Sequence, residues 1–575
     1  MPVVPVLEER FRAAIQLAFG PDHAHVEPAI RRSAHADYQA NVALGLASAL
    51  KRPPRAVAQA ILEKLDLADV CDKVELAGPG YFNVHLRADF LSAAVRQIAA
   101  DPRVGVALAA SPETVVIDYS SPNVAKELHV GHLRGTILGD ALSRVLENLG
   151  HKVVRQNHLG DWGTPFGMLL EQLVDSGSGA LAAGEWSEFY RAARAKFDSD
   201  PAFAERARKR VVLLQSGDEA TLALWREAIA QSRTYLDRVY ALLGVKLTDA
   251  DIAGESLYNP MLVEVIEELR EKGLIEESEG ALCVFPPGFK SKTGERLPLI
   301  ARKQDGGYGY ATTDLAAIRY RAQSLHATRI LYVVGAPQAT HFEMVFATAK
   351  MAGWLVPPAR AEHVAFGAVL GADKKMLKSR SGENVALVSL LDEACERAGA
   401  IIAEKNPGLD AATRAETARK VGIGAVKYAD LSTDRIKDYV FDWDRMLAFE
   451  GNTAPYLQYA YARIRSMGRK AEATALGGID PASIAIAEPA ERALALELLD
   501  LPIAARAVAE DLEPHKMCTY LYQLATAFTS FYEKCPVLRA ETPEIQRSRL
   551  ALSHATARAL AYGLGLLGIE VPEQM

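Results

Sequence analysis

Two histidines, His129 and His132, flank Val130 and Gly131 in the tetrapeptide His129-Val130-Gly131-His132. Their type and spacing suit one task, gripping phosphate. Imidazoles three positions apart on a helix share a face, and both can donate to phosphate oxygens. Gly131 has no side chain, so a flat base or ribose can lie against the backbone. A helix mouth adds unpaired N–H groups and a partial positive charge. Lys126 supplies a cation upstream. The chain contains no GxxxxGK[ST] segment, so a nucleotide triphosphate would be held by histidines and a helix end rather than by a glycine-rich loop. A bare His-x-Gly-His is more often a pair of surface histidines. Here the order of the surrounding elements favours chemistry.

Three further segments carry groups of interest. KMLKSRSG, from Lys375 to Gly382, sets Lys375 and Lys378 on a glycine-flanked loop. Such a loop is commonly only a cationic surface. Its lysines could equally close on a leaving pyrophosphate, where charge develops in the transition state. YGYATTDL, from Tyr308 to Leu315, puts Asp314 at a predicted helix start. An acid there is often just a cap. A fixed carboxylate flanked by aromatic walls is also what a buried guanidinium requires. Glu255, in GESLYN, is a carboxylate in a predicted turn and on its own would be a cap or a surface acid.

The elements that must position these groups begin at Thr114. Val115, Val116 and Ile117 read as a buried strand. Ser120, Ser121, Pro122 and Asn123 break it into a turn. Leu133, Ile137, Ala141, Leu142, Val145, Leu146 and Leu149 then fall on one helical face, which Gly150 ends. Lys152 to Arg155 resumes as a strand. Strand, helix, strand is one parallel crossover unit. A second buried strand, Ile330 to Val334, is followed by a polar turn with Gln338 and a helix.

Bulk properties bound the class. A chain of 575 residues, 49% hydrophobic and 24% charged, is an ordinary globular protein of three or four domains. A net charge of −7 argues against a general nucleic-acid coat but leaves room for local basic surface. The five cysteines are scattered, with no CxxC, so neither a disulfide framework nor a structural zinc is expected. No run of about 18 apolar residues occurs, and the amino terminus has no signal core or arginine-rich presequence, so a cytoplasmic protein without membrane spans is expected. Residues 1–110 read as a small mixed α/β unit and a connecting helix around Ala88 to Val104. The crossover unit opens a domain spanning 111–395, with a helical insertion over about 170–250. From 396 to 575 helical periodicity dominates. There Tyr456, Tyr459 and Tyr461 precede Arg463 and further cations. Aromatics at helical spacing are mostly core, but stacking rings with cations are also what single-stranded bases require.

SSPNVAKELHVGHLRGTILGD resembles the ATP-binding motif of class I aminoacyl-tRNA synthetases, in the form found in arginyl-tRNA synthetases. KMLKSRSG resembles their KMSKS loop, with Leu377 in place of serine at the third position. The GPG-strand ending, GDWGTPFGML, FDWDRMLAFEGNTAPYLQYA and the closing GLGLLGIEVPEQM are similar to the same family, so the resemblance reaches both ends. It implies a multidomain α/β plus all-α fold: a small α/β N-terminal tRNA-contacting domain, a Rossmann-like class I catalytic domain and a C-terminal helical anticodon-binding domain.

The resemblance also implies a reaction: attack of the L-arginine carboxylate on the α-phosphorus of ATP, then transfer of the arginyl group to the terminal adenosine of tRNA-Arg. Catalysis would rest on His129, His132, Lys126, Lys375 and Lys378, with Mg2+ on the phosphates. ATP would lie against His129, Gly131, His132, Lys375 and Lys378. The family's arginine contacts fall on Asp118, Ser121, Asn123, His132, Glu255, Tyr310, Asp314 and Gln338, with Asp118 and Glu255 either lining the arginine pocket or supporting it. Its anticodon contacts suggest Tyr456, Tyr459, Tyr461 and Arg463. Because Lys126, Lys375 and Lys378 are all present, which of them carries the pyrophosphate charge stays open. The family leans monomeric. Competing readings are a small-molecule nucleotidyltransferase of the same fold and a non-catalytic tRNA-binding paralogue. The first would not need the aromatic and basic helical tail, and the second would be expected to lose the histidines or the lysine loop. The arginine acid and the two imidazoles are expected to face one cleft.

Overall fold

β5 (Thr114–Asp118) is the strand around which the middle of the molecule is laid out, and its β-branched Val115, Val116 and Ile117 are all fully buried. The computed structural model describes residues 3–124, 127–177, 186–377, 385–472 and 479–575. Ahead of β5 come α1 (Val3–Phe19), β1 (Ile30–Arg32), β2 (Tyr38–Ala40), α2 (Val42–Leu50), α3 (Pro54–Leu62), β3 (Cys71–Ala77), β4 (Tyr81–Leu86) and α4 (Ala88–Ala100). The strands make an antiparallel sheet in the order β1-β2-β4-β3. Leu7, Phe11 and Ile15 of α1 recur at helical spacing and are buried, and Phe11 meets Phe82 edge-on.

After β5 the chain forms α5 (Val130–Asn148), β6 (Lys152–Gln156), α6 (Thr164–Ser176), α7 (Trp186–Ser199), α8 (Pro201–Ser216), α9 (Glu219–Leu243), α10 (Glu255–Tyr258) and α11 (Leu262–Glu271). A small antiparallel sheet of β7 (Glu276–Ser278), β8 (Ala281–Val284) and β9 (Leu299–Arg302) follows. Then come α12 (Tyr310–Gln323), β10 (Arg329–Tyr332), α13 (Ala339–Met351), β11 (Arg360–His363) and β12 (Val369–Leu370). The central sheet is parallel, in the order β11-β10-β5-β6. From neighbouring β5 and β10 the crossovers run in opposite directions, through α5 to β6 and through α13 to β11. Such a switch point leaves a crevice beyond the carboxyl ends of the two strands.

The two sheet faces have separate cores. Val115, Ile117, Leu331 and Val333 pack with α5, whereas Val116, Ile330 and Tyr332 pack with α12 and α13. The imidazole pair and Asp314 therefore reach the carboxyl edge from opposite faces of the sheet, a geometry the sequence did not disclose.

The remainder is helical: α14 (Leu387–Lys405), α15 (Ala411–Leu431), α16 (Trp443–Met446), α17 (Ala454–Glu472), α18 (Pro489–Leu498), α19 (Leu501–Asp511), α20 (His515–Lys534) and α21 (Pro543–Leu566). Among the described residues one strand interrupts it. β13 (Tyr439–Val440) returns to pair in parallel with β12. No helix among the described residues is long and apolar enough to cross a membrane.

Candidate active site

At the mouth of α5, His129 is the N-cap, and its Nδ1 accepts the Gly131 N–H at 3.1 Å. His132 Nδ1 accepts the His129 N–H at 3.1 Å. This reciprocal arrangement is a capping box built from two imidazoles. With Nδ1 as acceptor, the neutral ring carries its hydrogen on Nε2. The two rings are 4.1 Å apart, so both Nε2–H edges belong to one small patch suited to phosphate oxygens. The expected unpaired helix amides are already taken, which corrects the sequence reading. Val130 N–H donates to the Val385 carbonyl, Gly131 N–H to His129 Nδ1 and His132 N–H to the His129 carbonyl. Any anion met at this helix end would be met by side chains, with the helix dipole behind them.

The same pairing ties in the lysine loop. His129 bridges Ala386, and Leu387 N–H donates to the Leu128 carbonyl. Residues 371–377 follow β12, and Val385 and Ala386 pair at the α5 mouth. Lys375 is exposed, with its N–H on Asp373 Oδ1. Lys126 and Lys378 lie outside the described residues.

Asp314 is the fifth residue of α12, past the N-cap Gly309, and is not a cap. Its Oδ2 is 2.6 Å from His341 Nε2, on the first turn of α13. That contact puts the start of α12 at the carboxyl edge of β10. Glu255 opens α10, a short helix rather than a turn. Burial, and then the charges of Asp161 and Asp314, push its carboxyl up to about 7, against a Trp162 backbone amide. Asp161 is 4% exposed, and burial also raises it, although the Ser256 N–H and hydroxyl donate to it at 2.9 and 2.6 Å. The charges of Asp161 and Asp314 both act on Glu255, a field that a single guanidinium would relieve. Tyr310, at the first position of α12, is 72% exposed and forms a lip beside the acids rather than a closed wall. Asp161 and His341 were not singled out from sequence. Helical spacing from Gln338 was the one available signal for His341.

Asp118 already has partners within the protein. It is 5% exposed, with Oδ2 accepting from Arg321 at 2.7 Å and Oδ1 from the Ser121 hydroxyl at 2.6 Å. Burial pushes its carboxyl up, but Arg321, His158 and these hydrogen bonds more than reverse this and hold it below the ordinary range. Arg321, fully buried, also donates to Gln156 Oε1 and lies over the Tyr332 ring. The guanidinium that Asp118 seeks is therefore the protein's own. Ser121 is likewise spent internally: its N–H donates to Asn157 Oδ1, and its hydroxyl oxygen accepts the His158 N–H. Asn123 bridges Gly160 at the crevice, and Gln338 is exposed at the end of the turn after β10.

Along α17, Tyr461 is 9% exposed with its hydroxyl donated to Glu573, and the Tyr456 hydroxyl meets Thr529 Oγ1. Both serve packing. Tyr459 is 39% exposed, and Arg463 lies over the Tyr459 and Tyr532 rings. Tyr459, Arg463, Arg469, Lys470 and Tyr532 line one groove.

Residues 95–443 match the family model described as tRNA synthetases class I (R), catalytic domain. Residues 457–575 match the DALR anticodon binding domain, and residues 5–86 the arginyl tRNA synthetase N terminal domain. The arginine–tRNA ligase of Thermobifida fusca is 57% identical over 578 residues, covering 99% of each chain. That of Marinomonas sp. is 49% identical over 582 residues, covering 100% of each. Among solved structures, arginyl-tRNA synthetase from Plasmodium falciparum superposes with a TM-score of 0.85 at 28% identity, over 100% of this chain and 99% of that one. The Thermus thermophilus arginyl-tRNA synthetase gives 0.84 at 27%, over 100% of both.

Proposed function

The chain belongs to the arginyl-tRNA synthetase family, and from that premise we propose how its residues divide the work. The activity is that of an arginine–tRNA ligase: L-arginine is activated with ATP and joined to tRNA. Asp314 and Glu255 take the guanidinium, with Tyr310 at the lip. Asn123 and Gln338 take the α-amino group, because a neutral amide accepts from an ammonium without adding a competing charge. His129 and His132 donate to the triphosphate, Gly131 lies under the nucleotide, and Lys375, with Lys126 or Lys378, meets the pyrophosphate as its charge develops. The arginine carboxylate then attacks the α-phosphorus, pyrophosphate leaves, and no protein nucleophile is needed. Positioning and charge stabilisation supply the rate.

Mg2+ would ride on the nucleotide and neutralise phosphate charge. Among the described residues no group of three or more His, Cys, Asp or Glu is placed to hold a metal, so no side chain is given that role. On the tRNA side, Tyr459 and Arg463 are the residues suited to stacking with bases, and Tyr456 and Tyr461 stiffen the helix behind them. The proposed domains are 1–110, 111–395 and 396–575. A cytoplasmic monomer completes the reading. The five unpaired cysteines accord with a reducing compartment, and the monomer rests on the family's habit.

The reading is supported chiefly by the charges of Asp161 and Asp314 acting on Glu255, close to the carboxyl edge that the α5 mouth also reaches. The test is charging of total tRNA with each of the twenty amino acids. Arginine alone is expected to be esterified, and preference for another amino acid would overturn the pocket assignment.

A further inference from the structure

The turn that delivers Asn123 to the crevice is held in an unfavourable shape. Ser120 and Ser121 are consecutive non-glycine residues at φ +67° and +46°, both in the left-handed region that L side chains avoid. Such conformations persist where the surroundings over-determine them, and they gather at functional sites. Ser121 is fixed from below by Asp118 and Asn157. Ser120 is fixed from outside the nucleotide fold. Its Oγ lies 2.8 Å from the Tyr240 hydroxyl, near the end of α9 in the helical insertion. Tyr240 is 4% exposed, and its oxygen accepts from Asn157 Nδ2 at 3.0 Å, which directs its own hydrogen to Ser120. Thr136 Oγ1, on α5, is 2.9 Å from Ser120 Oγ and donates to the His132 carbonyl at 2.8 Å. One phenol from the insertion thus touches the turns after β5 and β6 directly and the signature helix through one intermediary.

We propose that Tyr240 is a positioning residue for arginine, holding the Ser120–Ser121 pair left-handed so that Asn123 meets the substrate amino group. Burial pushes the Tyr240 hydroxyl up to about 12, so it is a neutral donor at any working pH. The insertion is then part of the amino-acid site, although no residue of it need touch arginine.

This rests on the site reading above, and the test separates the two. Arginine-dependent ATP–pyrophosphate exchange with tRNA present is measured for the full chain, Asn123→Ala, Tyr240→Phe, Ser120→Ala and Tyr240→Phe/Ser120→Gly. Tyr240→Phe keeps the ring and loses only the hydroxyl. It is expected to raise the arginine KM about tenfold, as loss of one buried hydrogen bond should, with the ATP KM within about twofold. Ser120→Ala keeps the strained backbone and removes the same contact from the other side, so a comparable rise is expected. Glycine adopts positive φ without penalty. Ser120→Gly in the Tyr240→Phe background should therefore bring the arginine KM back most of the way. A merely structural tyrosine would lower kcat through the active fraction and leave both KM values alone. That result overturns the inference, as does an equal rise in both KM values or no recovery with glycine. If Asn123→Ala leaves the arginine KM unchanged, the site reading itself fails. If Asn123→Ala raises it and neither Tyr240→Phe nor Ser120→Ala does, only the role of Tyr240 fails.

Discussion

Glu255 enters the pocket with a carboxyl pushed up to about 7 by burial and by its acidic neighbours. A guanidinium favours the ionised form, so arginine binding below that pH must expel a proton. Affinity is expected to weaken as pH falls, by at most about tenfold per pH unit, and to level off above about 7. Without arginine the sign for folding is the reverse of a salt-bridged acid. The folded chain keeps the proton longer than the unfolded one, so stability declines as pH rises from about 4.5 toward 7. Calorimetric titration of arginine at pH 6 in two buffers of different ionisation enthalpy checks the release. Buffer-dependent heats are expected, with a smaller dependence in Glu255→Gln. Identical heats in both buffers would contradict the assignment. Asp118 shows what a sequence cannot disclose at this scale. Its partner Arg321 is 203 residues away, and an acid that ends a strand beside a nucleotide motif looks the same whether it faces a substrate or a buried arginine.

Helix α5 was legible because its cause is local: periodic apolar residues, a breaker before it and Gly150 after it at φ +88°. The strands that flank it were legible for the same reason. Two features of it were not. The imidazoles close the helix end themselves, which depends on rotamers, and the helix packs so tightly on the strand exit that Gly139 leaves no room. A β-carbon at Gly139 would lie 2.2 Å from both Cβ and Cγ of Tyr119. In an open helix Gly→Ala gains about 1 kcal/mol. Here the collision at the root of a fully buried ring should dominate, and Gly139→Ala is expected to lose about 1–3 kcal/mol. Chemical denaturation monitors this, and a raised midpoint would contradict the packing. The opposite placement of α5 and α12 was also hidden, because strand order is set by pairings between segments far apart in sequence, such as β5 with β10.

Across the whole molecule the terminal modules are joined. Residues from Val3 to Ile569 share one core cluster. Arg492 of α18 forks onto the Asp37 carboxylate and reaches the Leu86 carbonyl, while Asp37 Oδ2 accepts the Leu86 N–H at 2.7 Å. Arg558 donates to the carbonyls of Ala99 and Asp101. Arg492→Met leaves Asp37, 8% exposed, without its cation. The expected cost is at most about 3 kcal/mol, less than for a fully enclosed pair because Arg492 keeps some solvent. Amide exchange should quicken in β4 while β5 and β6 keep their protection, and unchanged exchange in β4 would contradict the joint. The cleft depends on the whole assembly, since its phosphate donors and its guanidinium acids arrive on opposite faces of one sheet. ATP–pyrophosphate exchange with tRNA and varied arginine, run on the parent, His132→Ala and Asp314→Asn, tests that division directly. His132→Ala is expected to lose at least about tenfold in kcat with the arginine KM nearly unchanged, and Asp314→Asn to raise the arginine KM at least about tenfold with the ATP KM nearly unchanged. Both variants within twofold of the parent in every parameter would contradict it.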